Sequence, residues 1–347
     1  MPEPIVATGL TRRFGRRRGP ALGSRRVSRP GSTGRPGVAA ACASAVLFGL
    51  STPLSKVLLD TTSPWMLAAL LYLGAGLGLA AYRLVTRAPR VRLPRSDLGW
   101  FVGAVLAGGV LAPLLLMLGL SQMPATGAAL LLNFEAVLTV LLAWLLFREF
   151  VSGRLVLGMV AIVAGAVLVT VPGSAELGTG WAPWAVLAAC LGWAVDNNLT
   201  RQVSHTDPTW IAMTKGLVAG TTNLVLALAV GSQVPESATI LLGLLLGFGA
   251  YGVSLALFVV ALRRLGTARS GAYFSIAPFI GAVVAVALGE PVTGALVAAG
   301  VLMGIGVWLH VTEHHEHEHA HPEGGPVPGP VMHAHPHYPD TDHRHRH

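Results

Sequence analysis

Ten apolar stretches, each 17 to 23 residues long, follow one another along this chain at 37–58, 64–84, 98–120, 125–147, 155–171, 181–199, 208–230, 240–262, 270–288 and 292–310. A helix rising about 1.5 Å per residue needs roughly 20 residues to cross about 30 Å of hydrocarbon, so each stretch is a candidate transmembrane helix. Composition agrees. Of the 347 residues 53% are hydrophobic and only 12% charged, against about 25% charged in a soluble domain. The expected fold class is therefore all-α integral membrane, with ten transmembrane helices.

Charge then orients the helices. The 24 cationic residues are 22 arginines and two lysines, and every arginine lies at or beyond the end of an apolar stretch. With the N-terminus in the cytoplasm, Arg12 through Arg35, the 83–95 cluster, Arg148, Arg154, Arg201, Arg263, Arg264, Arg269 and the C-terminal tail share one side, while the loops 59–63, 121–124, 172–180, 231–239 and 289–291 hold no Lys or Arg. That is the positive-inside pattern of a cytoplasmic (inner) membrane protein with both termini cytoplasmic. The net charge of +8 thus reflects membrane orientation; no stripe of basic and aromatic residues points to nucleic acid. Cys42 and Cys190 lie inside apolar stretches and read as packing residues.

The chain repeats itself. Residues 125–147, then Arg148-Glu149 and a fifth stretch, are mirrored at an offset of 141 by residues 270–288, then Gly289-Glu290 and a tenth stretch. Five helices per unit is an odd number, so the two units insert upside down relative to one another, and such inverted repeats place a substrate site near the midplane between them. The domain reading is a basic disordered arm at 1–36, a first repeat at 37–171, a linker at 172–180, a second repeat at 181–310 and a disordered His-rich cytoplasmic tail at 311–347. Phe48-Gly49 overlays Trp193-Ala194, which matches Lys56 with Arg201, and Lys56 is expected to snorkel to the outer interface beside Asp60. Thr11-Arg12-Arg13-Phe14 has the look of a twin-arginine export signal, but no apolar region follows it before residue 37, which favours an arm lying against anionic headgroups.

Ionisable groups inside the apolar stretches are read first as functional, because a charge in hydrocarbon is costly. Lys215 and Asp196 flank the sixth-to-seventh hairpin symmetrically about His205 and Thr206. As antiparallel neighbours they can reach similar depth, which makes an ion pair geometrically reasonable; helical rise puts Lys215 about 10 Å but Asp196 only about 5 Å into the membrane, so a merely interfacial Asp196 is the alternative. A lysine can give up its proton when desolvated, unlike an arginine, so a proton-coupling role stands beside a static helix-locking pair. Asp196, Asn197 and Asn198 sweep about 200° around their helix, so that helix faces the interior or a cavity. The asparagines there serve either a polar solute or interhelical hydrogen bonds. Glu135 lies twelve residues from the cytoplasmic end of its helix, with Asn133 on the opposite face. A lone carboxyl at that depth is expected to keep its proton at rest, which makes Glu135 the first candidate for coupling, weighed against a neutral structural role. Pro53, Pro113 and Pro278 break backbone pairing, freeing carbonyls or merely kinking helices. The spacings Gly243 to Gly247 and Gly300 to Gly304 permit close helix approach.

Twelve of the thirteen histidines follow Trp308. His314, His315, His317, His319, His321, His333, His335, His337, His343, His345 and His347 make a His-rich tract that suits zinc, nickel, cobalt or copper. It reads as a sensor or loading arm for metal, or as adventitious binding. No cofactor is required.

Ten helices in two five-helix repeats, with Ala-rich fourth and ninth helices ending in Phe147-Arg148-Glu149 and Leu288-Gly289-Glu290-Pro291, resemble the drug/metabolite transporter superfamily, EamA type, over residues 37–310. The resemblance implies secondary transport of small metabolites, often export, by alternating access without ATP hydrolysis. Glu135 and Ala136 stand near where that family usually has a proline in the fourth helix; the ninth keeps one, Pro278. The leading expectation is a secondary active transporter, an exporter of a small polar metabolite, with Glu135, Asp196, Asn197, Asn198, Lys215 and Asn133 in substrate binding or coupling. The alternatives are a divalent-metal transporter and a metal-responsive membrane sensor, each using the tail. The partners expected are the small-molecule substrate, a coupling proton or cation, membrane lipid and a second copy of the chain. An enzyme is not expected: no nucleophile and base constellation, Walker motif or metalloenzyme spacing is present.

Overall fold

The computed structural model describes residues 34–147, 152–170, 180–203, 206–265, 273–312, 316–320 and 330–334. The arm ahead of residue 34, the linker residues 171–179 and most of the tail lie outside the described residues. The first part of the chain forms α1 (Gly34–Gly49), α2 (Ser51–Leu58), α3 (Pro64–Val85), α4 (Leu98–Ala104), a π-helical segment (Val105–Leu111), α5 (Ala112–Ser121), α6 (Ala125–Leu131), α7 (Phe134–Phe147) and α8 (Gly153–Thr170). The second part forms α9 (Ala182–Gln202), α10 (Pro208–Ala229), α11 (Ser237–Gly247), a second π segment (Phe248–Val253), α12 (Ser254–Leu265), α13 (Ala277–Ala287) and α14 (Gly294–Val311). In the tail, β1 (Glu316–Ala320) pairs antiparallel with β2 (Pro330–Ala334).

Among the described residues, seven stretches are long and apolar enough to cross a membrane: Pro36–Leu58, Pro64–Val85, Arg95–Ser121, Ala125–Leu146, Pro208–Ala229, Ser237–Ala261 and Gly294–Val311. The other three expected stretches are helical but fall short of that description. Gly153–Val169 and Ala277–Ala287 are shorter apolar helices, and α9 carries Asp196, Asn197, Asn198 and Arg201.

Most breaks inside these stretches have a local chemical cause. Pro53, Pro113 and Pro278 each fall in the first turn of the piece that follows a break or a π segment, where a missing N–H costs least. No proline breaks the α6–α7 stretch. There the Asn133 amide donates to the Leu130 carbonyl at 2.9 Å and the backbone tightens to three-residue bonds, Asn133 N–H to Leu130 O and Glu135 N–H to Leu132 O. An asparagine competing for the backbone in this way ends a helix.

The two parts use the same devices at matching places. Ser63 caps α3 by accepting the Met66 N–H and Asp207 caps α10 by accepting the Trp210 N–H. At the other ends Arg87 and Gly231 both take positive φ, 51° and 78°, followed by the same reaching-back bonds, Ala88 N–H to Arg83 O and Ser232 N–H to Ala227 O. This left-handed termination is the Schellman motif. Each part also places one π segment in its third helical stretch. The packing is matched as well. α3 lies against α10 and α8 against α14; α1 packs on α12 as α9 packs on α5, and α1 on α13 as α9 on α7.

The core centres on α3, whose Leu67, Ala68, Ala69 and Leu71 are fully buried. Gly76 and Gly216 bring the α3 and α10 backbones together, since a Cβ on Gly216 would stand 2.7 Å from the Gly76 nitrogen. Gly247 presses on the backbone of α3 at Leu71, as its spacing from Gly243 suggested. Gly300 and Gly304 make only ordinary contacts; the close approach of α14 to α8 is at Gly306 and Gly158 instead.

Candidate functional site

The π geometry of the first part has a specific result. Ala112 N–H bonds the Ala107 carbonyl, so the next acceptor in that pattern, Gly108, looks to residue 113, a proline with no N–H to give. The Gly108 carbonyl is taken instead by the Tyr72 hydroxyl at 2.6 Å and the Trp193 indole N–H at 3.0 Å. Gly109, four residues before the proline, accepts the Asn223 amide at 3.2 Å. Pro113 does free carbonyls, and they knit α3, α9 and α10 to the π segment.

Gly108 serves a second purpose. Its missing side chain leaves the space that the Asp196 carboxylate fills, and a Cβ there would collide with the Asp196 Oδ2. Asp196 is 5% exposed. It receives Lys215 Nζ at 2.6 Å on Oδ1 and 2.5 Å on Oδ2, and the Thr200 hydroxyl at 2.8 Å. The pair expected from the symmetry of the hairpin is therefore present, and Asp196 is buried within the bundle.

One residue along α9, Asn197 donates to Glu135 Oε1 at 2.8 Å and lies 3.4 Å from the Thr139 hydroxyl. The helix break at Asn133 puts Glu135 in the first turn of α7, where the positive end of the helix dipole favours an acid. Asn133 and Asn198 are placed differently. Asn133 is buried with its amide on Leu130 O and 4.0 Å from the Met303 sulfur, and Asn198 donates to the carbonyls of Ala194 and Thr139. Both spend their amides on backbone or packing.

Lys215, Asn197 and Thr200 reach a cavity of about 360 Å3. The rest of its wall is mostly apolar, and five of its residues are aromatic: Phe48, Tyr72, Tyr251, Phe258 and Phe274. Rings form a chain in which Tyr72 and Tyr251 are 5.7 Å apart, Tyr251 and Phe48 5.7 Å, Phe48 and Phe274 5.2 Å, and Phe274 and Phe258 4.9 Å. The sequence reading missed these rings. Tyr72 and Tyr251 carried a usable signal, because tyrosine in membrane helices favours the interfaces and these two lie well inside their stretches.

Beside Pro208, which lines the cavity, Arg83 is 8% exposed and donates to Asp207 at 3.0 Å, Thr209 at 2.6 Å and the Pro89 carbonyl at 2.8 Å. Burial by itself would raise the Asp207 carboxyl, but Thr209, the Trp210 N–H and Arg83 together hold it below its ordinary 3.8. At a different place Lys56 is partly buried and donates to the Leu120 carbonyl, at the end of α5, at 2.8 Å. Glu290 clasps the start of α6, accepting the N–H groups of Ala125 at 2.6 Å and Thr126 at 2.7 Å. Of the tail histidines, the backbones of His317, His319 and His333 fall on β1 and β2. The others named as metal ligands lie outside the described residues.

A multi-pass helical bundle with a cavity whose wall carries Lys215, paired to a buried Asp196, is an arrangement that fits a membrane transporter. Comparison with known proteins agrees. The EamA-like transporter family matches twice, over residues 35–171 and 180–312, and the chain belongs to that family. An uncharacterized transporter from Methanothermobacter thermautotrophicus is 30% identical over 288 residues, 76% of this chain and 82% of its own length. A solved crystal structure at 20% identity covers 78% of this chain and 95% of its own with a TM-score of 0.60, a likeness of fold.

Proposed function

We propose that the chain is a secondary active transporter of the cytoplasmic membrane, an exporter that moves a small metabolite by alternating access between two inverted five-helix halves. The observation that carries this is the cavity itself: one space, between elements of both halves, with Lys215 in its wall and Asp196 paired to it from behind. The double family match and the matched caps, terminations and π segments support the repeat. The odd number of helices per half supports its inversion. Thr200 and Pro208 line the cavity where α9 finishes and α10 starts, and the arginines at that end of the helices support an opening toward the cytoplasm by the positive-inside rule.

The aromatic wall shifts the expected cargo from a purely polar solute to one with an apolar body and a polar end. The polar end meets Asn197 and Lys215, and the body lies on the rings. Glu135, joined to the site through Asn197, is the coupling carboxyl: its protonation changes what Asn197 holds and so what the cargo meets.

The test uses proteoliposomes without ATP, a panel of radiolabelled amino acids and small carboxylates, and an imposed pH gradient. Gradient-driven movement of at least one solute is expected from the wild type and not from Ala212→Trp, which fills the cavity. Equal movement by both proteins would contradict the assignment. Metal loading by the tail is a separate reading carried by its histidines. Metal tolerance unchanged on deleting residues 311–347 would retire it.

A further inference from the structure

The overlay of Phe48-Gly49 on Trp193-Ala194 extends further along both helices. At the same offset of 145 it pairs Ser51 with Asp196, Thr52 with Asn197, Ser55 with Thr200 and Lys56 with Arg201. Asn197 and Thr200 line the cavity. Their counterparts on α2 are hydroxyl residues, and both are shut away: Thr52 is 3% exposed and Ser55 0%.

A second observation concerns the same place. α2 packs against α6, and the hydroxyls of Ser55 on α2 and Thr126 on α6 are buried without a hydrogen-bond partner among the described residues. A polar group buried unpaired is costly, and each such group calls for an explanation. Water reaching these hydroxyls in another conformation removes the cost. Thr126 is also a residue whose N–H Glu290 holds, while Lys56, adjacent to Ser55, is fastened to the end of α5.

We infer that Thr52, Ser55 and Thr126 line the opposite half of the transport pathway, closed in this structure, and that Lys56 and Glu290 are the latches that keep it closed. This rests on the alternating-access reading and adds to it the residues of the second half-site. In the other state the contact of α2 with α6 opens, the three side chains take up water or cargo, and the cavity beside Asn197 and Thr200 closes.

The experiment places single cysteines by Ser55→Cys, Thr126→Cys, Thr200→Cys and Val57→Cys in full-length protein lacking Cys42 and Cys190. Val57 is 52% exposed and serves as a control outside the pathway. Reaction rates with a small cationic methanethiosulfonate, present on both faces of reconstituted membranes, are compared with and without Glu290→Ala. The same series is run with Lys56→Met, which stands in if the first variant does not fold. Release of a latch is expected to speed labelling of Ser55→Cys and Thr126→Cys at least about tenfold and to slow that of Thr200→Cys, a population shift between two states. Val57→Cys is expected not to change. Slower labelling of Thr200→Cys without faster labelling of the other two would overturn the half-site and leave alternating access standing. No change at any of the three overturns the latches and the half-site, and a static Thr200→Cys throughout imposed gradients would count against alternating access as well.

Discussion

At the level of single residues, the site depends on one buried charge having its partner. Asp196 is closed off on three sides by Gly108, Thr200 and Lys215. Removing one member of a buried pair costs about 3–5 kcal/mol because the survivor is left uncompensated, whereas removing both costs much less. Lys215→Ala is therefore expected to lower thermal stability in detergent strongly, and Asp196→Ala with Lys215→Ala to recover most of the loss. Gly108→Ala is expected to displace the Asp196 carboxylate and reproduce the loss with the ion pair chemically intact, which thermal unfolding would also read. The pair was legible because both residues are charged within apolar stretches and equidistant from one turn. The role of Gly108 was not, since a glycine in a chain with 42 of them says nothing until the neighbour that fills its space is known. Asn133 was legible as an intramembrane amide, but its work is to break a helix and so to place Glu135, which only its bond to Leu130 O shows.

At the level of elements, Pro113 and the π segment behave as one unit. Pro113→Ala restores an N–H that can claim the Gly108 carbonyl, in competition with Tyr72 and Trp193. The expected outcome is a shift in Trp193 fluorescence as the indole loses its acceptor, together with reduced transport; an unchanged spectrum would show that the π geometry does not depend on the proline. The clasp of α3 to α10 through Arg83 and Asp207 makes a pH prediction with a definite sign. A carboxyl held below its ordinary value contributes stability that is present above that value, 3.8, and is lost as pH falls through its folded value. The wild type is expected to lose more thermal stability than Asp207→Asn as pH is lowered from 5 to below 3.8, in a scan of both proteins. Parallel curves would contradict it. Helix positions were readable from apolar length alone, and the ends of α3 and α10 fall within a residue or so of where composition put them. The internal breaks were marked by prolines only where a proline caused them. The one at Asn133 depends on a side-chain bond, and the aromatic wall depends on rings from several helices converging.

At the level of the whole molecule, the proposed function requires that the two family-matched segments enter the membrane in opposite directions and share one cavity. The repeat was legible in sequence through Glu149 and Glu290, and the structure adds matched caps, terminations and π segments at helices whose sequences differ. What sequence left open was how the halves meet, because packing partners such as α3 with α10 are set by glycines more than a hundred residues apart. The loop after α3 and the loop after α10 occupy the same place in the two parts, and Arg90 and Gln233 are exposed in them. The most direct measurement is therefore labelling of Arg90→Cys and Gln233→Cys, each in protein lacking Cys42 and Cys190, by a membrane-impermeant maleimide applied to intact cells and then to inverted vesicles. Opposite insertion predicts that Gln233→Cys labels in cells and Arg90→Cys only in inverted vesicles. Labelling of both from the same face would contradict it.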